Sequence, residues 1–222
     1  MKVGFLGLGK MGYNIALNAI DNNIEVIGFD VDEDARKKAS KDFEIANSLD
    51  EIIQKLKAPR FIFLSLPAGK ITDDTIDLLA QRLDEGDIVI DSGNTNYKKT
   101  LEHNEILKNK NIGFIDCGTS GGMSGARNGA CLMVGGEKKD YEQVKELFEA
   151  ISCEKGLLYT GKPGSGHYLK MIHNGIEYGM MQAIGEGFAI LEKSEFDYNY
   201  EEVSRVWNHG SVIRSWLIEL AE

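Results

Sequence analysis

Residues 2–12 read KVGFLGLGKMG, and this stretch decides the fold of the 222-residue chain. A run of strand character, residues 2–7, leads directly into the glycine pattern of Gly7, Gly9 and Gly12. Glycines at this spacing allow a tight turn, a close approach of the backbone to a pyrophosphate, and close packing of the next helix on the strand. The free N–H groups at the start of that helix suit phosphate. The stretch predicts a dinucleotide-binding turn, and a glycine-rich turn without a ligand is the alternative.

The end of the second predicted strand indicates which dinucleotide is bound. Residues 24–30 end at Asp30, about 20 residues beyond the glycine turn, where the ribose partner belongs. A carboxylate there accepts hydrogen bonds from ribose hydroxyls and repels a 2′-phosphate. Residues 32–34 are also acidic, and Arg36 is the only nearby cation that could reach a phosphate. We therefore predict NAD as the cofactor, with NADP less favoured.

Short β-branched runs alternate with helical patterns up to about residue 160. Strands are predicted at residues 2–7, 24–30, 61–66, 87–91, 112–116, 130–134 and 157–160. Helices are predicted near residues 11–21, 34–41, 49–57, 72–82, 98–109 and 139–151. This alternation predicts the α/β class, with a doubly wound, mostly parallel Rossmann-type sheet covered by helices on both faces.

The pattern changes after Pro163. Residues 165–222 carry no strand pattern and are predicted to be helical, apart from a turn near 197–200. We therefore predict a Rossmann domain over residues 1–163 and the start of an all-α domain over residues 164–222. The final segment SWLIELAE has no helix stop signal, which predicts that the helical domain is incomplete at its C-terminus.

Composition excludes several classes of partner. The formal net charge of −10 argues against nucleic acid and against an anionic membrane. No stretch approaches the roughly 18 apolar residues of a membrane span. The sequence has three cysteines without a CxxC pair or a metal-ligand spacing, and its N-terminal strand pattern leaves no room for a signal peptide. These features predict reduced thiols, a cytoplasmic location and no metal site.

Three polar loops follow predicted strands, at the edge where open α/β sheets bind ligands. They read SLPAG at residues 65–69, DSGN at 91–94 and CGTSGGMSGARNG at 117–129. The backbone N–H groups and hydroxyls of the third loop could hold a small polar anion. Each loop also has the composition of an ordinary turn, so the loops alone leave their ligand open.

Residues 164–191, GSGHYLKMIHNGIEYGMMQAIGEGFAIL, are predicted to form one long helix. Lys170, Asn174 and Glu177 are spaced i, i+4 and i+7, so they share one helix face. An amine and a carboxyl on that face suit proton transfer at two ends of a substrate. The alternative is an ordinary solvent-exposed helix face without a catalytic role. Four glycines weaken this helix and predict close packing against its backbone. They are Gly175, Gly179, Gly185 and Gly187.

The motifs together resemble those of the 6-phosphogluconate dehydrogenase family. They read GFLGLGKMG, IDSGN, TSGGMSGARNGACLMVGG and KMIHNGIEYGMMQ, in the family's order and over nearly the whole chain. The last is the most specific, because related β-hydroxyacid dehydrogenases carry a KxxNN-like run there. Asp30 and the segment GSVIRSWL look more like the short, NAD-preferring bacterial branch than the long NADP-dependent one.

The resemblance implies oxidative decarboxylation of 6-phosphogluconate to ribulose 5-phosphate and CO2, with hydride transfer to NAD. It implies Lys170 as the general base and Glu177 as the general acid, without a metal. The implied cofactor-binding residues are Gly7, Gly9, Lys10, Met11, Gly12, Asp30, Leu66, Pro67, Ala68 and Asn94. The implied substrate-binding residues are Asn94, Ser120, Gly121, Gly122, His173, Asn174, Tyr178 and the phosphate-binding Arg214.

The resemblance further implies that the helical domain binds substrate and forms a homodimer or homotetramer. Apolar residues spaced along its helices also predict self-association. They are Ile184, Phe188, Leu191, Trp216, Leu217 and Leu220. In the family this domain continues well beyond the equivalent of residue 222, so residues 1–222 alone need not be active.

Two other functions stay open. Another β-hydroxyacid dehydrogenase, acting on a small hydroxyacid, would use Lys170 and Asn174 equally well. A non-catalytic module that only binds NAD would use the glycine turn alone. His173, Glu177, Tyr178 and Arg214 favour the phosphorylated sugar acid over the small hydroxyacid.

Overall fold

The sheet is built around the strand that precedes the glycine turn. The computed structural model describes residues 1–222 and contains eight strands in one sheet. They are β1 (Lys2–Leu6), β2 (Glu25–Phe29), β3 (Glu44–Ile45), β4 (Phe61–Leu64), β5 (Ile88–Asp91), β6 (Gly113–Ser120), β7 (Ala130–Gly136) and β8 (Ser152–Gly161). Their spatial order is β3-β2-β1-β4-β5-β6-β7-β8. Every neighbouring pair is parallel except β6 with β7, so the predicted mostly parallel, doubly wound sheet is confirmed.

Helices connect these strands. They are α1 (Lys10–Asp21), α2 (Glu33–Ala39), α3 (Leu49–Lys55), α4 (Lys70–Ala80), α5 (Tyr97–Lys108), α6 (Gly122–Asn128) and α7 (Lys138–Ile151). Side chains fix several of their starts: Asp32, Ser48 and Asn96 accept hydrogen bonds from backbone N–H groups in the first turns of α2, α3 and α5. Such caps stabilise a helix by about 1 kcal/mol each, and they explain why the predicted starts lie close to the observed ones.

The strand residues alternate between two buried apolar layers. In β4, Phe63 belongs to the layer that includes α1 and α7, whereas Ile62 and Leu64 belong to the layer that includes α3 and α4. Phe63 also stacks on Phe5 of β1 with ring centroids 4.8 Å apart. Burying each such side chain contributes roughly 1.5–3 kcal/mol, so the core holds the carboxyl ends of β1 and β4 firmly side by side.

Two parts of the sheet differ from the prediction. The two-residue strand β3 was not predicted, because so short a segment shows no periodicity. The glycine-rich loop predicted at residues 117–129 is wrong in part: β6 continues to Ser120, pairing with β7 as far as Cys131, and α6 occupies most of the remainder. Ladder hydrogen bonds to β7 hold residues 117–120 extended, and the composition of this segment alone does not show that pairing.

The chain divides into two compact units, Met1–Lys170 and Met171–Glu222. Helix α8 (Ser165–Glu192) contains the last residues of the first unit and the first residues of the second, which also holds α9 (Tyr200–Asn208) and α10 (Trp216–Glu219). The predicted domain boundary after residue 163 falls between β8 and α8 and stays a prediction.

The second unit is less helical than predicted. Residues 209–215 are not helical, because Gly210 has a φ of 85° and Ser215 caps a new helix by accepting the N–H of Ile218. The close packing expected at the four glycines of α8 is also absent within this chain, since no atom lies within 4 Å of a Cβ built on any of them. None of the helices combines the length and apolar character needed to cross a bilayer.

Candidate functional site

The three glycines after β1 have different steric surroundings. Gly7 has a φ of 92°, and a side chain there would collide with the Ser65 carbonyl oxygen. A Cβ on Gly12, in α1, would collide with the Gly7 carbonyl oxygen, whereas nothing lies within 4 Å of a Cβ built on Gly9. The first and third glycines thus serve the turn and the helix packing. The second leaves open space at the start of α1, beside Lys10 and Met11, where no side chain caps the helix.

Asp30 binds the glycine turn from the neighbouring strand. Its carboxylate accepts the Leu8 N–H at 2.6 Å and the Asp32 N–H at 2.9 Å. A carboxylate offers about four lone-pair positions, so acceptor capacity remains for ribose hydroxyls. Arg36 donates to the carbonyl oxygens of Asp30 and Val31, at 2.7 and 3.1 Å. This guanidinium is therefore held by the backbone, and the only carboxylate bonded to the turn is that of Asp30.

The loops after β4 and β5 lie beside the glycine turn. The residues predicted to contact the cofactor after β4 are Leu66, Pro67 and Ala68. The Pro67 carbonyl accepts the Thr72 hydroxyl at 2.8 Å, which ties the loop to α4. The Leu66 carbonyl lies 3.0 Å from a Cβ built on Gly93, so the β5 loop approaches the β4 loop closely. These contacts bring both predicted loops to one edge of the sheet.

A buried carboxylate that the prediction did not single out shapes the β5 loop. Asp91 is fully buried and accepts the Gly93 N–H at 2.8 Å and the Thr95 hydroxyl at 2.7 Å. These two hydrogen bonds fix the residues on either side of the predicted ligand residue Asn94. The sequence does contain a pattern that could have indicated this role: an acid at the end of a strand, followed by a threonine four residues later. An Asp in that position commonly accepts hydrogen bonds from the turn that follows it.

The end of β6 joins the same edge. The hydroxyls of Ser92 and Thr119 are hydrogen-bonded at 2.8 Å, which links the β5 loop to β6. Ser120 is the last residue of β6, and Gly121 and Gly122 follow with φ values of 120° and 58°. These left-handed conformations favour glycine and allow the chain to turn from strand to α6 beside the predicted ligand residues.

The buried Cys117 does not contribute a nucleophile to this edge. Burial raises the pKa of the Cys117 thiol to about 12, so it stays protonated at neutral pH and unreactive. Cys131 and Cys153 are exposed, and all three are free thiols.

Lys170 lies against β6 through its aliphatic stem. A Cβ built on Gly118 would be 2.5 Å from the Lys170 Cβ and 3.2 Å from its Cγ. Gly118, two residues before Ser120, was missed as a functional position. Only a glycine there lets α8 approach the strand this closely, and the sequence showed just one more glycine in a glycine-rich run.

Four further predicted residues follow Lys170 on α8. The Nδ1 atom of His173 lies 3.6 Å from the Glu177 carboxylate and 3.3 Å from the Asn174 side-chain oxygen. Tyr178 is 67% exposed.

Arg214 is also exposed and lies in the non-helical segment before α10, not in the helix predicted for it.

The fold and this edge define a dinucleotide-binding protein of the Rossmann class, with a helix that begins at the ligand edge of its sheet. Residues 2–161 match the NAD binding domain of 6-phosphogluconate dehydrogenase, and residues 166–222 match the C-terminal domain of that enzyme. The chain therefore belongs to the 6-phosphogluconate dehydrogenase family.

Individual relatives agree with the family match. YqeC of Bacillus subtilis, named as a candidate 6-phosphogluconate dehydrogenase, is 50% identical over 100% of this chain and 75% of its own length. The NAD(+)-dependent, decarboxylating 6-phosphogluconate dehydrogenase of Haloferax volcanii is 40% identical over 100% of this chain and 74% of its own length. The Plasmodium falciparum enzyme, solved in its apo form and with NADP+ or 6-phosphogluconate, gives a TM-score of 0.91 at 34% identity, over 100% of this chain and 50% of that one. The chain thus spans three quarters of two relatives and half of the third.

Proposed function

We propose that this protein oxidatively decarboxylates 6-phosphogluconate to ribulose 5-phosphate and CO2, with hydride transfer to NAD. The observation that carries the proposal is the packing of Lys170 on Gly118. It brings a candidate base to the sheet edge that also holds the glycine turn. The resemblance of residues 170–182 to the family's substrate motif and the 40% identity to the NAD(+)-dependent Haloferax enzyme support the choice of substrate and cofactor.

Each chemical step has a candidate group in this chain. NAD, when bound, accepts the hydride that leaves C3 of the substrate. Lys170 takes the proton of the C3 hydroxyl, which leaves a ketone β to the C1 carboxylate. The C1–C2 bond then breaks, CO2 departs, and its electron pair moves through C2 onto the C3 oxygen. The protonated Lys170 donates a hydrogen bond to that oxygen as negative charge develops. Glu177 protonates the former C2 of the enediol, which becomes C1 of ribulose 5-phosphate.

The remaining residues are proposed to hold the substrate. Asn94, Ser120, Gly121 and Gly122 follow β5 and β6, and His173, Asn174 and Tyr178 follow Lys170 on α8. Arg214 is proposed to bind the phosphate, since a guanidinium fork matches phosphate oxygens. We further propose a cytoplasmic location, since the three cysteines are free thiols.

A spectrophotometric assay tests the proposed function. NADH formation is followed at 340 nm with 6-phosphogluconate, and released CO2 is trapped and counted, on residues 1–222 and on any longer natural form of the chain. Equal amounts of NADH and CO2 support the proposal. NADH without CO2, from a small hydroxyacid, would favour another β-hydroxyacid dehydrogenase. A thermal shift with NAD that 6-phosphogluconate does not increase, without turnover in any form, would favour a binding module.

Asp30→Asn is expected to change the cofactor preference. The amide oxygen of Asn can still accept the Leu8 N–H of the turn, while its NH2 group replaces the oxygen that accepts the Asp32 N–H outside the turn. The bond to the turn is kept, whereas the negative charge is lost. A hydrogen bond to a charged group contributes about 1.5–3 kcal/mol, so the KM for NAD is expected to rise about tenfold or more, while the KM for NADP falls. Steady-state kinetics with both cofactors measure this. Asp30→Ala is the control, because it also removes the acceptor for the Leu8 N–H and should weaken both cofactors. If the ratio of the KM for NAD to the KM for NADP were unchanged in Asp30→Asn, Asp30 would have no role in cofactor selection.

We also propose that the protein forms a homodimer or homotetramer through its helical part. Large apolar side chains on α8 are exposed in the single chain, and they include Ile176, Met181 and Ile190. An exposed apolar surface of this kind marks an interaction site. Light scattering at micromolar concentration is expected to give a mass of two or four chains, and a monomer mass in all natural forms of the chain would contradict the proposal.

A further inference from the structure

A buried carboxylate outside the predicted site holds the start of α8. Asp116 of β6 is fully buried, and its two oxygens accept the Gly164 N–H at 2.7 Å and the His167 N–H at 2.8 Å. The first backbone N–H groups of any helix lack intrahelical partners. The residue before α8 is Gly164, whose carbonyl already accepts the Tyr168 N–H but which has no side chain to cap the helix. Asp116 supplies the missing cap from a neighbouring strand.

The same helix start rests directly on the sheet backbone. A Cβ built on Gly166 would collide with the Met133 carbonyl and lie 2.7 Å from the Asp116 carbonyl, and one on Gly135 would lie 2.8 Å from the Gly166 nitrogen. Gly166 and Lys170 are four positions apart and therefore share a face, and Lys170 packs on Gly118. The position of the Lys170 stem is thus coupled rigidly to the Asp116 cap.

A buried histidine links this helix start to the β5 loop. The Nε2 atom of His167 lies 3.1 Å from the Asp91 carbonyl oxygen, and its Nδ1 atom lies 2.7 Å from the Thr100 hydroxyl. A carbonyl oxygen only accepts, so Nε2 carries a proton and donates it to Asp91, while Nδ1 is hydrogen-bonded to the Thr100 hydroxyl. Because the Asp91 side chain shapes the loop of Asn94, the helix start and that ligand loop are held together.

We propose that Asp116 is a positioning residue for Lys170, acting through the first turn of α8, with the His167–Thr100 contact as its second support. This inference rests on the proposed function, in which Lys170 is the base. Proton and hydride transfer require near-contact geometry, and a displacement of about 1 Å can lower the rate about 10²-fold. The two carboxylate bonds therefore set turnover without either oxygen touching substrate.

Asp116→Asn is the direct test, because it keeps the side-chain volume and replaces one acceptor oxygen by an NH2 group that faces a backbone donor. Relative to the wild-type protein, the kcat of Asp116→Asn is expected to fall about 10–100-fold. Its NAD dissociation constant is expected to stay within about twofold of the wild-type value. The deuterium isotope effect with 6-phosphogluconate labelled at C3 is expected to rise, because a displaced base makes the chemical step slower than product release. A smaller fraction of folded protein would lower kcat and leave the isotope effect unchanged.

Asp87→Asn is the matched control. Asp87 is also fully buried and also accepts two backbone N–H groups, those of Arg60 at 2.6 Å and Asp84 at 3.0 Å, but at the opposite edge of the sheet. It also pairs with the Arg60 guanidinium at 2.9 Å, so its replacement tests a loss of stability at least as large. It is expected to lower the melting temperature while leaving the isotope effect at the wild-type value. In a Lys170→Met background, Asp116→Asn should lower the residual rate no further, since residues that act as a unit are not additive.

The outcomes separate this inference from the proposed function. No turnover of 6-phosphogluconate by any wild-type form would reject the function itself. An active wild type with an unchanged kcat and isotope effect in Asp116→Asn would reject only the positioning role. If Asp116→Asn does not fold, Thr100→Val replaces it, since that change removes only the hydroxyl bonded to His167. A severalfold lower kcat with a raised isotope effect then supports the inference, and wild-type values overturn it.

Discussion

Replacing Lys170 by Met is expected to lower turnover of 6-phosphogluconate by roughly 10²–10⁴-fold, the range for the loss of a proton-transfer group. The loss is expected to be larger where the lysine also stabilises the charge on the C3 oxygen. Met keeps the unbranched stem that packs on Gly118, so the start of α8 should stay in place. The NAD dissociation constant, measured by fluorescence titration, is expected to remain within about twofold of the wild-type value, while kcat at saturating substrate records the loss.

Two variants sharpen this result. Lys193→Met makes the same change just beyond the end of α8, at an exposed position, and should keep wild-type turnover. Lys170→Arg keeps the positive charge but cannot give up its proton, because a guanidinium is not deprotonated in proteins. It is expected to lose nearly as much turnover as Lys170→Met. An active Lys170→Arg variant would show that the charge alone matters, and unchanged turnover in Lys170→Met would end the assignment of the base.

The parts of the cofactor edge that the sequence predicted are those set by short-range constraints. Gly12 is required by its contact with the Gly7 carbonyl within one strand–turn–helix unit, and Gly7 also by the Ser65 carbonyl after β4, whereas nothing lies within 4 Å of a Cβ built on Gly9. Asp30 was predicted because the distance from a glycine turn to the end of the second strand is nearly constant in this fold. The helix starts were likewise marked by their own capping residues. Local pattern is sufficient wherever the partner groups lie close in the chain.

The parts that escaped prediction depend on partners far along the chain. Asp116 accepts the N–H of Gly164, which lies 48 residues away and directly precedes α8, and its neighbours in sequence say nothing about that partner. Gly118 matters only because Lys170 packs on it from another element. A nearer partner explains the segment at residues 117–120, which looked like a loop because Gly118 and the glycines that follow it lower strand propensity. Pairing with β7, the next strand, overrides that preference. The substrate contacts assigned to Asn94, Tyr178 and Arg214 stay predictions.

Glu177→Gln is expected to separate the two halves of the reaction. The proposed acid acts only after hydride transfer and loss of CO2, so the first turnover should still form about one NADH per site at a rate near the wild-type value. Later turnovers should be slower by roughly 10²–10⁴-fold, because the enediol then waits for a proton from another source. Stopped-flow absorbance at 340 nm measures the NADH burst, and quenched samples measure ribulose 5-phosphate, which is expected to lag behind it.

Glu186→Gln is the matched control for this separation. Glu186 lies on the same helix, about half a turn round from Glu177 at 3.6 residues per turn, and its carboxylate accepts the Gln182 amide at 2.8 Å. It should show wild-type turnover without a burst. If Glu177→Gln lost both the first-turnover NADH burst and its steady-state rate, the carboxylate would act at or before hydride transfer. Lys170 would then not be the only group that hydride transfer needs. A wild-type time course would show that Glu177 transfers no proton, and the acid would then have to be sought among the other polar residues of α8.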